Sequence, residues 1–370
     1  MARIKVPEGI VFPVVSSELS RRKKQVLAKS LQSLEPKPGL TVAELVESMK
    51  NMSIQARAIG QCAEVLDGLY RDRRRPTVFL GLAGPLIAAG LRDVIRGLIE
   101  GGYVDVVVST GAILYQDIYQ ARGFKHYKGT PHADDAALRD MYIDRIYDTY
   151  VDEIAFWNTD LWVGKQADAL PPGNYSSRQF IDYLGAQLED EKSIVRTCHR
   201  LGVPIFAPAL NDSSIGIGLT EHRHRARQQG RPSLGIDSIQ DNYELTQYVV
   251  KSACTAAIYV AGGVPKNYIN DSVVMSYIFG LERGHDYALQ VTTAVVADGG
   301  LSSSTLKEAT SWGKIDRQAR SAMAWVEPSV ALPLLAQYVF DRHPPRPRLK
   351  AVWDGDILKK LVKPSPAKKR

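Results

Sequence analysis

The sequence predicts an α/β fold, a mostly parallel sheet with helices on both faces. Three observations lead there. Short apolar runs, often β-branched, recur at 77–82, 104–109, 204–210, 234–236, 256–261 and 288–293. Helical periodicity fills the gaps, over 85–100, 177–201, 238–256 and 271–281. The runs are apolar throughout rather than alternating, as strands buried on both faces must be. Parallel strands joined by helices cross over right-handed, which yields a doubly wound, Rossmann-like sheet.

Taken in order, residues 1–40 are polar and interrupted by prolines. They read as an N-terminal helical arm with one short helix near 17–31. Residues 42–69 carry apolar residues at helical spacing behind Thr41 and Glu44, a capping-box pair, and predict a helix or helix pair. The Rossmann-type domain is drawn at 41–345. Within it, residues 115–175 are rich in Tyr, Asp and His and read as an insertion with short helices at the mouth of the sheet. Residues 346–370 read as a basic C-terminal tail, unstructured over 359–370. No internal repeat is visible.

Composition excludes several classes of function. No run of 18 apolar residues exists, so no membrane helix is expected, and the first residues lack the apolar core of a signal peptide. A cytoplasmic protein is the expectation. Three cysteines without CxxC spacing (Cys62, Cys198 and Cys254) argue against a disulfide framework or a zinc site. Cys198 and His199 are neighbours in a predicted helix and point apart, so they make no catalytic pair. Net charge is +7, with basic clusters at 21–24, 71–75 and 368–370. No aromatic residues interleave with them, which disfavours a nucleic-acid surface.

The chemistry lies where strands end. In an open α/β sheet, ligands bind beyond the carboxyl ends of the strands. Those ends read Gly81-Leu82-Ala83-Gly84, Thr110-Gly111-Ala112, Asn211-Asp212-Ser213-Ser214, Gly262-Gly263 and Thr293-Ala294. Small residues let a phosphate approach the backbone, so a nucleotide site is expected, although no GxGxxG follows a strand. Asp212 either bonds a ribose diol or caps the next helix. Further on, a Gly/Ser-rich stretch leads into Trp312-Gly313-Lys314. A lysine beside tryptophan is a candidate for desolvation, which lowers its pKa from about 10.4 and frees a nucleophilic amine. Glu308, six residues earlier, either binds a cationic substrate or faces solvent.

At this point the chain resembles the deoxyhypusine synthase family. Ala309-Thr310-Ser311-Trp312-Gly313-Lys314-Ile315 is similar to its active-site motif. Segments 208–213, 262–266 and 104–110, Thr293-Ala294 and Asp298-Gly299 also match, in order and spacing. The resemblance implies a homotetramer with sites at subunit interfaces, NAD as cofactor, and a polyamine donor such as spermidine. It makes Lys314 the covalent lysine and puts Trp312, Glu308, Asn267 and Asp271 at the substrate. It puts Thr110, Gly111, Asp212, Gly262, Gly263, Thr293, Ala294, Asp298 and Glu327 at NAD. The implied acceptor is a protein lysine or a free diamine, the latter a homospermidine synthase-like activity. A non-catalytic NAD-binding protein is the alternative. Departures from the family pattern fall on Gly84-Pro85 (a Ser-Asn pair in the family), Tyr115-Gln116 (two glutamates), Ile217 (an aspartate), Asn267 (a histidine) and Leu301 (an acidic residue). With fewer carboxylates, Asp117, Asp271 and Glu308 are the candidates to meet a polycation.

Overall fold

The structure is a computed structural model that describes residues 8–9 and 15–363. The expected basic cluster at 368–370 lies outside the described residues. Three helices open the chain: α1 (Ser17–Val26), α2 (Val42–Met49) and α3 (Ile54–Arg71). The Thr41–Glu44 capping box starts α2 as the spacing predicts. Next come β1 (Thr77–Leu82), α4 (Arg92–Glu100), β2 (Val106–Ser109) and α5 (Gly111–Ala121). A small antiparallel sheet follows, formed by β3 (Tyr127–Lys128), β4 (Ile143–Ile146) and β5 (Thr149–Asp152), with α6 (Asp135–Asp140) between β3 and β4. The chain continues through α7 (Glu153–Asp168), β6 (Asn174–Tyr175), α8 (Ser177–Ala186), α9 (Ile194–Leu201) and β7 (Ile205–Phe206). Then come α10 (Ser214–Gln228), β8 (Gly235–Ile236), α11 (Ser238–Lys251), β9 (Thr255–Val260) and α12 (Gly263–Val274). The last elements are β10 (His285–Val291), α13 (Leu306–Ser311), β11 (Ile315–Ala324), α14 (Pro328–Arg342), β12 (Lys350–Asp354) and β13 (Ile357–Val362).

Six strands form the main sheet in the order β11-β10-β9-β1-β2-β7. Every pairing in it is parallel. From β1 the chain builds outward through β2 to β7, then returns to β9 on the other side and builds outward to β11. The order therefore reverses between β1 and β9, the switch point at which doubly wound sheets bind ligands. Alternation along β1 feeds two cores. Val78, Leu80 and Leu82 face one, under α3, α4 and α14, and Phe79 faces the other, under α11 and α12. Gly81 lets α12 approach, because a Cβ there would stand 3.0 Å from Ile269 Cδ1. No helix among the described residues is long and apolar enough to cross a membrane.

Several sequence expectations are corrected. The helix expected over 85–100 starts only at Arg92, because Gly84 and Gly90 take positive φ and turn the chain first. The stretch 177–201 is two helices, since Ser193 caps a new one. Residues 234–236 pair with β6 outside the main sheet. Residues 271–281 finish a helix begun at Gly263 and add a 3₁₀ turn, Met275–Phe279. The insertion does not begin at 115, because Tyr115 and Tyr119 are buried on α5 in the core. Residues 359–362 are not a loose tail: β12 and β13 make a hairpin on α11. Leu358 is buried there, its amide donates to Gln247 Oε1 at 2.8 Å, and Trp353 packs edge-on against Tyr248. Arg74 and Arg75 are structural, paired with Asp72, Asp286 and Asp105. All three cysteines are free and buried.

One core group fixes an acid dependence. His285 is fully buried at the start of β10, with Nδ1 3.0 Å from Thr255 Oγ1. Burial pushes its pKa from 6.5 down to about 4. The unfolded chain takes up this proton below about 6.5 while the folded one refuses it, so stability present above that pH is lost as pH falls toward 4. The expected loss is roughly 3 kcal/mol. Urea unfolding across this window should show it, and His285→Gln should flatten the dependence. An unchanged slope in the variant would remove His285 as its source.

Candidate active site

The residues expected at a nucleotide follow five different strands. Thr110 and Gly111 follow β2, Asp212 follows β7, and Gly262 and Gly263 follow β9. Thr293, Ala294 and Asp298 follow β10, and Glu327 follows β11. All therefore belong to the carboxyl edge of the sheet. Two helices that leave this edge, α5 and α10, have no side chain bonded to their first amides, whereas Gly263 N at the start of α12 donates to Ser302 Oγ at 2.9 Å. By contrast α2, α7, α8, α9, α11 and α14 are capped by side chains. Free amides at helix N-termini beside a switch point suit an anionic ligand. Gly84 and Gly263, at φ +84 and +62 after β1 and β9, leave open space where side chains would stand. Of the two roles open to Asp212, capping is not realised: the N-cap residue of α10 is Ser213, and Asp212 is exposed. Glu327 is spent on its own helix, with its carboxylate accepting from Ser329 N at 2.8 Å.

Two grooves open here. One, of about 520 Å³, runs between Leu210-Asn211 and Arg223 and Arg227 of α10. The other, of about 480 Å³, lies between Ala88, Thr149 and His126 of the insertion and Ser329 of α14. Two buried polar atoms nearby lack a protein partner, His126 Nε2 and Gln290 Oε1, the latter near the end of β10. Sequence reasoning passed over both, since neither a lone histidine nor a strand glutamine carries a spacing signal.

Lys314 sits elsewhere, at the amino end of β11. Its carbonyl accepts from His285 N at 3.1 Å, and its own amide donates to Ala309 O at 3.0 Å. The side chain is 15% exposed and reaches α12. Nζ lies 3.3 Å from Asp271 Oδ1 and donates to Asn267 Oδ1 at 3.1 Å. Asn267 Nδ2 donates to Asp271 Oδ2 at 2.9 Å. The Trp312 ring, 68% exposed, has its centre 5.5 Å from Nζ. Trp312, Asn267, Asp271 and Lys314 thus meet in one place. Asn267 and Asp271 come together because they are one helical turn apart.

The lysine expected to be desolvated has a companion. Lys266 is fully buried, and its ammonium donates to Ser304 O at 2.6 Å, Leu301 O at 3.2 Å and Ser304 Oγ at 3.3 Å. Burial pushes its pKa from 10.5 down to about 8, with Glu308 opposing the shift and Lys314 adding to it. It fastens segment 301–304 onto α12.

The three acids expected to meet a polycation have different fates. Asp117 is fully buried and unavailable. It pairs with Arg92 at 2.6 Å and accepts from Ser193 Oγ at 2.7 Å and Val195 N at 2.9 Å. Glu308 closes a capping box with Thr305 on α13, and its exposed carboxylate remains near Lys266. Asp271 alone stands against Lys314. Tyr115 and Gln116 are buried, and Gln116 accepts from Ala88 N at 3.1 Å, tethering the turn after β1.

Comparison with known proteins identifies the family. Residues 44–339 match the family model for deoxyhypusine synthase. A deoxyhypusine synthase-like protein of Chlorobaculum tepidum is 44% identical over 321 residues, 85% of this chain and 88% of that one. Another, from Caulobacter vibrioides, is 37% identical over 361 residues, 95% and 96% of the two chains. A probable deoxyhypusine synthase 2 of Methanosarcina acetivorans is 40% identical over 322 residues, 85% and 92%. The crystal structure of a putative deoxyhypusine synthase from Entamoeba histolytica shares the fold, with TM-score 0.58 and 19% identity over 85% of this chain and 98% of that one. With most of its length matched by the family model and by relatives of this similarity, the chain belongs to the deoxyhypusine synthase family.

Proposed function

We propose that the chain is an NAD-dependent transferase. It moves an aminobutyl or related alkyl-amine group from a polyamine to an acceptor amine, with Lys314 as carrier. The observation that carries the reading is the meeting of Lys314, Asp271, Asn267 and the exposed Trp312 ring. A polyamine is a flexible cation, and this mouth offers it a carboxylate and an aromatic face. NAD, when bound, takes a hydride from the donor and returns one to the product. This chain's own groups fit it: the free amides of α5 and α10 suit a pyrophosphate, Gly84 and Gly263 leave room for close approach while Gly111 and Gly262 make way for Ser213 and Ser302, and Asp212 suits a ribose diol. Thr110, Thr293, Ala294 and Asp298 border the same edge. Lys314 adds to the imine carbon of the oxidised donor, the bond to the departing amine breaks, and the acceptor amine later displaces Lys314. The acceptor is a protein lysine or a free diamine.

NAD at millimolar concentration should raise the melting temperature, because it binds the native state only. Spermidine and shorter diamines should then give transferred product and hydride uptake by mass spectrometry. An unchanged melting temperature, with no hydride transfer from any amine, would sink the reading. The proposal includes a homo-oligomer, a tetramer by family pattern. Val264, Tyr277, Ile278, Val295 and Leu301 are exposed on the elements that carry the site and their connections, an apolar surface that suits a second copy. Light scattering that returned only the 40.9 kDa monomer would remove that part.

A further inference from the structure

We propose that Asp271 is a seat taken in turn by Lys314 and by an ammonium of the donor other than the amine that is oxidised, so that the donor unmasks its own nucleophile. This rests on the transferase reading and adds what controls it.

The argument is a charge count. Four charged side chains gather here: Lys266 and Asp271 on α12, Glu308 on α13, and Lys314 before β11. Lys266 is closed off by the carbonyls of 301–304. Glu308 is held at the start of α13 by its capping box. Among the described residues, Asp271 is the only carboxylate within 4.0 Å of Lys314 Nζ. Tyr268, the remaining titratable side chain on this helix, is a half-buried phenol whose pKa burial raises, so it supplies no anion near neutral pH. One anion thus balances one cation. An ammonium so paired has no lone pair and cannot attack carbon.

A cationic donor changes the count. Asp271 is 41% exposed and can be reached from the mouth, whereas Lys266 cannot. Two cations on one carboxylate, one of them on a side chain only 15% exposed, are costly. Loss of a proton from Lys314 Nζ to water restores the balance: the donor nitrogen keeps its charge against Asp271, and Lys314 becomes a neutral amine. Asn267 serves both states. Its Nδ2 holds Asp271 in place, and its Oδ1 accepts an N–H from charged or neutral Lys314 alike, which leaves the freed lone pair to point elsewhere. The lysine is therefore protected until a cation of the right kind arrives.

Calorimetry of the full chain with spermidine tests this without NAD and so without turnover. Titrations at neutral pH in buffers of different ionisation enthalpy count the protons released. The wild type should release roughly one proton per amine bound. Lys314→Arg should release none, since a guanidinium keeps its proton. Asp271→Asn, shown folded by circular dichroism, should bind about tenfold more weakly or worse. No proton release from the wild type would overturn the proposal. So would equal release from Lys314→Arg, which would make Lys266 the source, or unchanged affinity in Asp271→Asn. A protein that transfers hydride and labels Lys314 yet releases no proton would keep the transferase reading and lose this one.

Discussion

Lys314→Arg is expected to abolish group transfer, by about a thousandfold or more, while leaving NAD binding and the melting temperature near those of the wild type. The side chain is only the end of the device. Its backbone is pinned by His285 N and Ala309 O, and those bonds survive the change. Arginine keeps the positive charge, and with it the contact to Asp271, but cannot become a neutral nucleophile. Borohydride reduction in the presence of NAD and labelled donor should therefore mark Lys314 in the wild type and nothing in the variant. Label on Lys266 or Lys307, or near-normal transfer by Lys314→Arg, would show that another group carries the chain.

Asp117→Ala should cost stability rather than chemistry, about 3–5 kcal/mol. Asp117 has no exposed surface, and Arg92 beside it is 12% exposed. Removing the carboxylate leaves the guanidinium with Asp190 and the backbone carbonyl of residue 117, and strands Ser193 Oγ and Val195 N, which hold the start of α9. Urea denaturation followed by far-ultraviolet circular dichroism measures the loss. A change below about 1 kcal/mol would mean that water and Asp190 replace the lost bonds.

The sequence spoke clearly where one local rule decides the outcome. Residues 77–82 are apolar throughout and form the central strand with those bounds, and the Thr41–Glu44 spacing sets a helix start. It was silent where distant partners decide. Strand β11, Asp-Arg-Gln-Ala-Arg-Ser for most of its length, lies at the sheet edge and packs inward only through Ile315, Ala319 and its last residues, so no run betrays it. The hairpin 350–362 read as a basic tail because its lysines face solvent, while Leu358 is buried and Ala351, Trp353 and Leu361 pack beside it. At the site, the motif drew Trp312 and Lys314 together and the resemblance added Asn267 and Asp271. Asp117 looked as available as Asp271 on paper. Only the packing of α5 against α9 turns one into a strut and leaves the other at the mouth. Lys266 was missed as a clamp, because nothing beside Pro265 tells a buried lysine from an exposed one.

The anchoring of Lys314 at the head of β11 has a consequence for time. A residue bonded through its amide and its carbonyl moves only by turning its own side-chain torsions, and such turns, once Asp271 and Asn267 let go of Nζ, take picoseconds to nanoseconds. Once released, the carrier proposed in Lys314 would therefore find its reacting carbon far faster than a transferase turns over. Whatever sets the pace lies outside that side chain, in the entry of one amine past Trp312, the departure of another, or the loosening of segment 301–304 from Lys266. A variant that slows turnover without altering the label on Lys314 should map to those doors rather than to the lysine itself.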